Sequence, residues 1–111
     1  MAYSHTIVNG VDVIDLDDSV DLYSTPELKK FCYELIKTDT KRIVFNLETL
    51  KYIDSSGLAM LVNLLYESKR YGVTLKIANM SKESSKTFSL TKMENNFEIF
   101  GTVEDAIRSF G

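Results

Sequence analysis

Arg42-Ile43-Val44-Phe45-Asn46-Leu47 leads through a short connection into Asp54-Ser55-Ser56-Gly57, and Leu58-Ala59-Met60-Leu61-Val62 follows. The first run is rich in β-branched and aromatic residues and reads as a buried strand. The residues from Leu58 to Tyr71 read as a helix closed by Gly72. The tetrapeptide Asp54-Ser55-Ser56-Gly57 therefore sits where a strand gives way to a helix. That placement sets two hydroxyls beside the free amides at a helix start. A phosphoryl group carried there would meet oriented donors and the positive end of the helix dipole.

Working outward, Tyr3 to Val8 and Val11 to Leu16 are extended runs around Asn9-Gly10, a strong hairpin signal. In the second run Val11 and Val13 alternate with polar residues, while Ile14 and Leu16 fall on the other parity. Asp17-Asp18-Ser19-Val20-Asp21 reads as an acidic loop. Ser24-Thr25-Pro26-Glu27 reads as a capping box, with Ser24 as the cap and Pro26 in the first turn. Leu28, Phe31, Cys32, Leu35 and Ile36 then form the stripe of an amphipathic helix. On the helix after the motif, Leu58, Leu61, Val62 and Leu65 share the face expected to pack on a sheet. Met60, Leu64 and Tyr71 fall on the opposite face. Val73 to Ala78 reads as a strand. Ser81 to Met93 reads as a helix weakened by serines and threonines, and Phe97 to Phe100 is a short apolar run. Thr102 caps a last helix, with Val103, Ala106, Ile107 and Phe110 inward. Strands separated by helices predict an α/β fold, a mostly parallel sheet of four to five strands with an N-terminal hairpin and about four helices.

The 111 residues suit one domain, spanning 1–111, and leave no room for two. The composition is 44% hydrophobic and 26% charged, which favours a packed core over disorder. Thirteen basic and 16 acidic residues give a net charge of −3, and the basic residues occur only as scattered pairs. This excludes a nucleic-acid-binding patch. The chain shows no leader pattern and no apolar run of transmembrane length, so it reads as soluble, cytoplasmic and not membrane-bound. Cys32 stands alone, excludes an internal disulfide, and reads as a buried thiol. His5 has no companions for a metal site and reads as a solvated side chain. No Ser-His-Asp, Cys-His or zinc spacing is present, and no phosphate-cradling glycine loop precedes a lysine. A hydrolase has no constellation to support it.

Phe45-Asn46-Leu47-Glu48-Thr49-Leu50 followed by Ile53-Asp54-Ser55-Ser56-Gly57-Leu58 resembles the STAS domain, and more narrowly the bacterial anti-sigma factor antagonists. The likeness extends over nearly the whole chain: the strand order, Asp21 ahead of the first helix, and the late Phe97-Glu98-Ile99-Phe100 and Val103-Glu104-Asp105-Ala106. The resemblance implies a non-enzymatic regulator without a cofactor of its own, and it implies phosphorylation at Ser55. The phosphorylating enzyme would be the partner, an anti-sigma factor serine kinase that supplies ATP and magnesium. A metal-dependent serine phosphatase would reverse the step. The unphosphorylated form would bind the kinase and free a sigma factor. Asp21, Asp54, Ser56 and Gly57 match the positions around the acceptor. Two family glycines are replaced here, by Asp18 and Lys92.

Each of these residues also has a plainer reading. The Ser55 hydroxyl suits an N-cap, the Ser56 hydroxyl suits capping of the first turn, and Asp54 suits an ordinary helix-start carboxylate. Asp21 would then be no more than an exposed residue at a strand end, and Gly57 would permit close approach of backbone or partner. Met60 and Leu64 are either helix–helix core or, with Leu22 and Tyr23, an apolar docking patch beside the motif. Two other functions stand beside the regulatory one. One is a STAS scaffold or accessory subunit that is never phosphorylated. The other is a nucleotide- or small-molecule-binding module in which the helix start grips a ligand phosphate; Asp17, Asp18, Asp21 and Asp54 argue against an anionic ligand there.

Overall fold

A computed structural model of the chain describes residues 3–111. Strands β1 (Tyr3–Val8) and β2 (Val11–Leu16) form an antiparallel hairpin in which Val8 pairs with Val11. Asn9 and Gly10 both adopt positive φ, at 51° and 76°, as a two-residue primed turn requires. β3 (Asp18–Val20) precedes helix α1 (Thr25–Leu35), then come β4 (Arg42–Asn46), β5 (Leu50–Ile53) and helix α2 (Ser55–Arg70). β6 (Thr74–Ala78), α3 (Lys82–Leu90), a single 3-10 turn at Glu94–Asn96, β7 (Glu98–Phe100) and α4 (Val103–Arg108) complete the order. The main sheet runs β1-β2-β4-β6-β7, parallel except for the hairpin.

Both faces of this sheet are covered, which explains the mixed parity of Val11 to Leu16. Ile14, Leu16, Ile43, Phe45, Leu75 and Ile77 meet Leu28, Cys32, Leu58, Leu61 and Phe88 in one core. Val11, Val13, Val44 and Ala78 meet Ala106, with Val103, Ile107 and Phe110 around it, in a second core under α4. A strand buried on both sides loses the clean in–out alternation of a half-exposed one.

β3 and β5 pair in parallel as a separate two-stranded ribbon. The sequence reading left both as loops, because three and four residues are too few to show a period. Asp18 and Lys92 stand at φ 55° and 59°. Both are therefore left-handed corners, where a side chain costs energy that glycine does not.

Two smaller expectations are corrected. Ser24 has no side-chain bond to its own helix; the cap lies further upstream, as described below. His5 is not a free solvated side chain. Its Nε2 is 2.7 Å from Asp12 Oδ1, its ring meets Phe31 edge-on, and Thr40 Oγ1 donates to the other Asp12 oxygen at 2.9 Å. Cys32 is buried as expected, and burial pushes its thiol pKa up to about 12.

Candidate functional site

The start of α2 is fixed by Asp54. Its backbone is extended, and its Oδ1 accepts from the Gly57 amide at 2.9 Å, so Asp54 is the N-cap. Its Oδ2 accepts from the Leu22 amide at 3.1 Å, and its own amide donates to the Val20 carbonyl at 3.2 Å. One residue thus joins the motif to the turn that follows β3. Both carboxylate oxygens thus accept from backbone amides, which is the work of a helix cap.

The turn after β3 is capped in a similar way. Asp21 Oδ1 accepts from the amides of Tyr23 and Ser24 at 2.9 and 3.0 Å, and the Asp21 carbonyl accepts from Thr25. Ser24 Oγ accepts in return from the Asp21 amide at 2.9 Å and donates to the Ser19 carbonyl. This is a reciprocal box in which Asp21 is the cap and Ser24 the third residue. The sequence reading placed the box three residues late, because Ser24-Thr25-Pro26-Glu27 fits the same pattern. The Ser24 amide, helped by the Tyr23 amide and opposed by some desolvation, holds the Asp21 carboxyl below its ordinary pKa. Asp21 is therefore more than a residue exposed at a strand end.

These two caps bring Asp21, Leu22, Tyr23, Asp54 and Ser55 together. Ser55 is exposed at the first helical position of α2, and neither its hydroxyl nor that of Ser56 is the cap. The amides of Ser55 and Ser56 lie in the first turn, where no intrahelical acceptor exists. Tyr23 is 90% exposed and Leu22 62%, two adjacent large side chains held in solvent beside the motif. The turn can hold them out because its own backbone is satisfied by carboxylates rather than by packing.

Met60 and Leu64 do not join this display. They are 5% and 0% exposed and belong to the core, so their assignment to partner contact is corrected for Leu64 and nearly so for Met60. The cause is α1, which packs along α2 on the side that the helical wheel left open. What remains open is a groove of about 340 Å³ between the helices, lined by Pro26, Lys29, Tyr33, Ser56, Ala59 and Met60 among others. Ser56 is half-buried on its wall.

Gly57 is buried, and the neighbour it admits is backbone of this chain. A Cβ there would overlap the Val20 carbonyl oxygen and lie 2.8 Å from Val20 Cγ1. The glycine lets α2 dock on β3, which is what holds the two caps side by side.

Tyr52 was missed by the sequence reading. It is 56% exposed on β5, opposite Ser19 and two residues ahead of Asp54. The signal was present in Leu50 and Ile53, buried on either side of exposed Lys51 and Tyr52. Among the described residues, no group of three or more His, Cys, Asp or Glu is placed to hold a metal ion. No helix among them is long and apolar enough to cross a membrane.

The sequence model of the STAS domain matches residues 3–106. This chain belongs to the STAS domain family. It is 27% identical over 82 residues to an anti-sigma-B factor antagonist of Staphylococcus aureus, covering 74% of this chain and 76% of the relative. An anti-sigma factor antagonist from Mycobacterium paratuberculosis superposes with a TM-score of 0.86 at 17% identity, over 96% of this chain and 91% of that one. The Bacillus cell fate determinant SpoIIAA in its phosphorylated form superposes with a TM-score of 0.77 at 21% identity, over 99% and 100% of the two chains. The two structural likenesses show that the STAS fold is shared.

Proposed function

We propose that this STAS protein is an anti-sigma factor antagonist whose partner binding is switched by phosphorylation of Ser55. The observation that carries the reading is the exposed Ser55 hydroxyl at the first position of α2, beside the displayed Leu22 and Tyr23. The likeness to the Staphylococcus aureus antagonist supports the same reading.

The switch rests on charge. A phosphoserine carries about −1.5 to −2 charges at neutral pH. The start of α2 favours such a charge by roughly 0.3–1 kcal/mol, whereas Asp21 and Asp54 oppose it. Both effects are small at an exposed helix start, so the fold is expected to change little. The phosphate acts as bulk and repulsion at the surface formed by Tyr23, Leu22 and the open end of the groove. The partner is an anti-sigma factor with serine kinase activity, which supplies ATP and magnesium, and a serine phosphatase restores the hydroxyl. The working place is the cytoplasm, where sigma factors act. The whole of 1–111 forms the regulatory domain.

Incubation with the candidate kinase and Mg-ATP, followed by intact-mass and fragmentation mass spectrometry, tests the acceptor. One phosphoryl group on Ser55 is expected. A phosphate on Ser56, or none with a kinase that still binds, defeats the switch. In a binding assay, Ser55→Ala is expected to hold the kinase and Ser55→Asp to release it; equal binding by both sinks the charge mechanism.

A further inference from the structure

The edge of the main sheet furthest along the hairpin side is β1, and its outer backbone groups have no partner strand among the described residues. Exposed edges are ordinarily blunted by charge, proline, a bulge or shortness. The opposite edge follows that rule: β7 has three residues and begins with Glu98. β1 does not follow it. Tyr3-Ser4-His5-Thr6-Ile7-Val8 holds no lysine, carboxylate or proline, and it pairs with β2 in unbroken register over all six residues. Its histidine, His5, is already turned onto Asp12. Ile7 is 68% exposed and Val8 41%.

We propose that β1 is a homotypic interface, in which two copies of this chain join their β1 edges antiparallel to form one continuous ten-stranded sheet. An open strand edge is completed by another strand, since only a strand supplies matching donors and acceptors. A strand bearing charges would set them against Ile7 and the nearby Phe31, whereas a second β1 brings none.

The register follows from parity. Tyr3 and His5 face α1, with their rings 4.9 and 5.4 Å from that of Phe31, and Ile7 shares their side. Ser4, Thr6 and Val8 face the other way. Directly opposed residues in an antiparallel pair lie on one face, so the two-fold axis passes through a residue and not between two. Centred on Thr6, it opposes Thr6 to its own copy, a favourable cross-strand pair. It also sets His5 against Ile7 and Ser4 against Val8, which covers both exposed apolar side chains. Centred on His5, it would oppose two imidazoles and put Val8 beyond the paired length Tyr3 to Ile7. The Thr6-centred pairing is the one the side chains fit.

A strand pair of this length buries less surface than a permanent dimer needs, so the association is weak, with a Kd on the order of 0.1 mM. It leaves Ser55 free. Phe31 faces β1, while Pro26, Lys29 and Tyr33 of the same helix face the groove on the α2 side.

Sedimentation equilibrium of the full chain between about 10 µM and 1 mM tests this. The weight-average mass is expected to rise from monomer toward dimer. Ile7→Lys removes little packing and is expected to abolish the rise without lowering Tm. Under mild oxidation at high concentration, Thr6→Cys is expected to give a disulfide-linked dimer, with Cys32 too buried to compete. A wild-type chain that stays monomeric throughout overturns the proposal and leaves the edge to some other extended segment. A dimer that survives Ile7→Lys places the interface elsewhere and also overturns it. A Ser4→Cys variant that cross-links as readily as Thr6→Cys overturns the register.

Discussion

Leu22 and Tyr23 on one side, and Met60 and Leu64 on the other, are four large apolar residues, and they end in opposite environments. The first pair stands out in solvent, while the second lies in the core. Apolarity does not separate them; the way their backbone is satisfied does. The turn bearing Leu22 and Tyr23 is held by Asp21 and Asp54, whose carboxylates take up its amides. Nothing needs to pack on it, and its side chains are free for a partner. Met60 and Leu64 sit on a helix whose position is set by burial, between the sheet and α1. Carboxylate caps can hold a display surface still, whereas helix packing consumes the surface it stabilises.

Truncation is the strongest way to separate the two pairs. Leu64→Ala is expected to cost about 2–5 kcal/mol in chemical denaturation, because it leaves a cavity in a closed core. Tyr23→Ala is expected to leave stability unchanged and to weaken binding to the anti-sigma partner. If Tyr23→Ala destabilises as much as Leu64→Ala, the turn is packed and the contrast fails.

Gly57→Ala is next. Its methyl group would press on Val20 backbone, which cannot yield as a side-chain tip can. A loss of about 1–3 kcal/mol is expected, together with weaker partner binding as α2 shifts from β3. Denaturation and binding measured on the same preparation check both parts. An unaltered Tm would mean that the ribbon is free to move.

Asp54→Ala removes the α2 cap and the acceptor for the Leu22 amide. About 1–2 kcal/mol is expected, with hydrogen exchange of the Leu22 amide accelerated beyond what the global loss explains. Exchange that follows global stability alone would show that Asp54 does not hold the turn.

Asp18→Gly relieves a left-handed corner and loses the exposed ion pair to Lys51 at 3.8 Å. The two effects oppose each other, and a gain of about 0.5 kcal/mol is expected in thermal denaturation. A clear loss would mean that the carboxylate contributes to holding the ribbon.

The last test is on the acid side. The folded Asp21 pKa is below its ordinary value of 3.8, so its stabilisation is present above that value and is lost as pH falls through the lowered folded pKa. Asp21→Asn is expected to flatten the dependence of Tm on pH in that acid window and to change it little near neutrality. An unchanged acid limb would remove Asp21 from the cap.

Much of this molecule could be read from the chain because its signals are local. Asn9-Gly10 specifies a primed turn through φ alone, and the observed hairpin matches the expected one. Thr102 caps α4 as read, by accepting from the Asp105 amide. The apolar stripes of α1 and α2 repeat over enough turns to mark helices, and the β-branched and aromatic run Arg42 to Leu47 marks a buried strand by composition. Gly57 could be flagged as a point of close approach, although not what approached.

The rest depended on neighbours distant in sequence. β3 and β5 are strands because each has the other, 32 residues away between Asp18 and Leu50. The choice of Asp21 over Ser24 as cap was settled by the Ser19 carbonyl and by where α2 places Asp54, since both serine and aspartate suit the position locally. Met60 and Leu64 are core because α1 lies on them, and an apolar helix face looks the same in sequence whether a helix or a partner covers it. Local backbone preference is written residue by residue; which of two similar surfaces stays open is a property of packing, fixed only when the whole chain has closed around its cores.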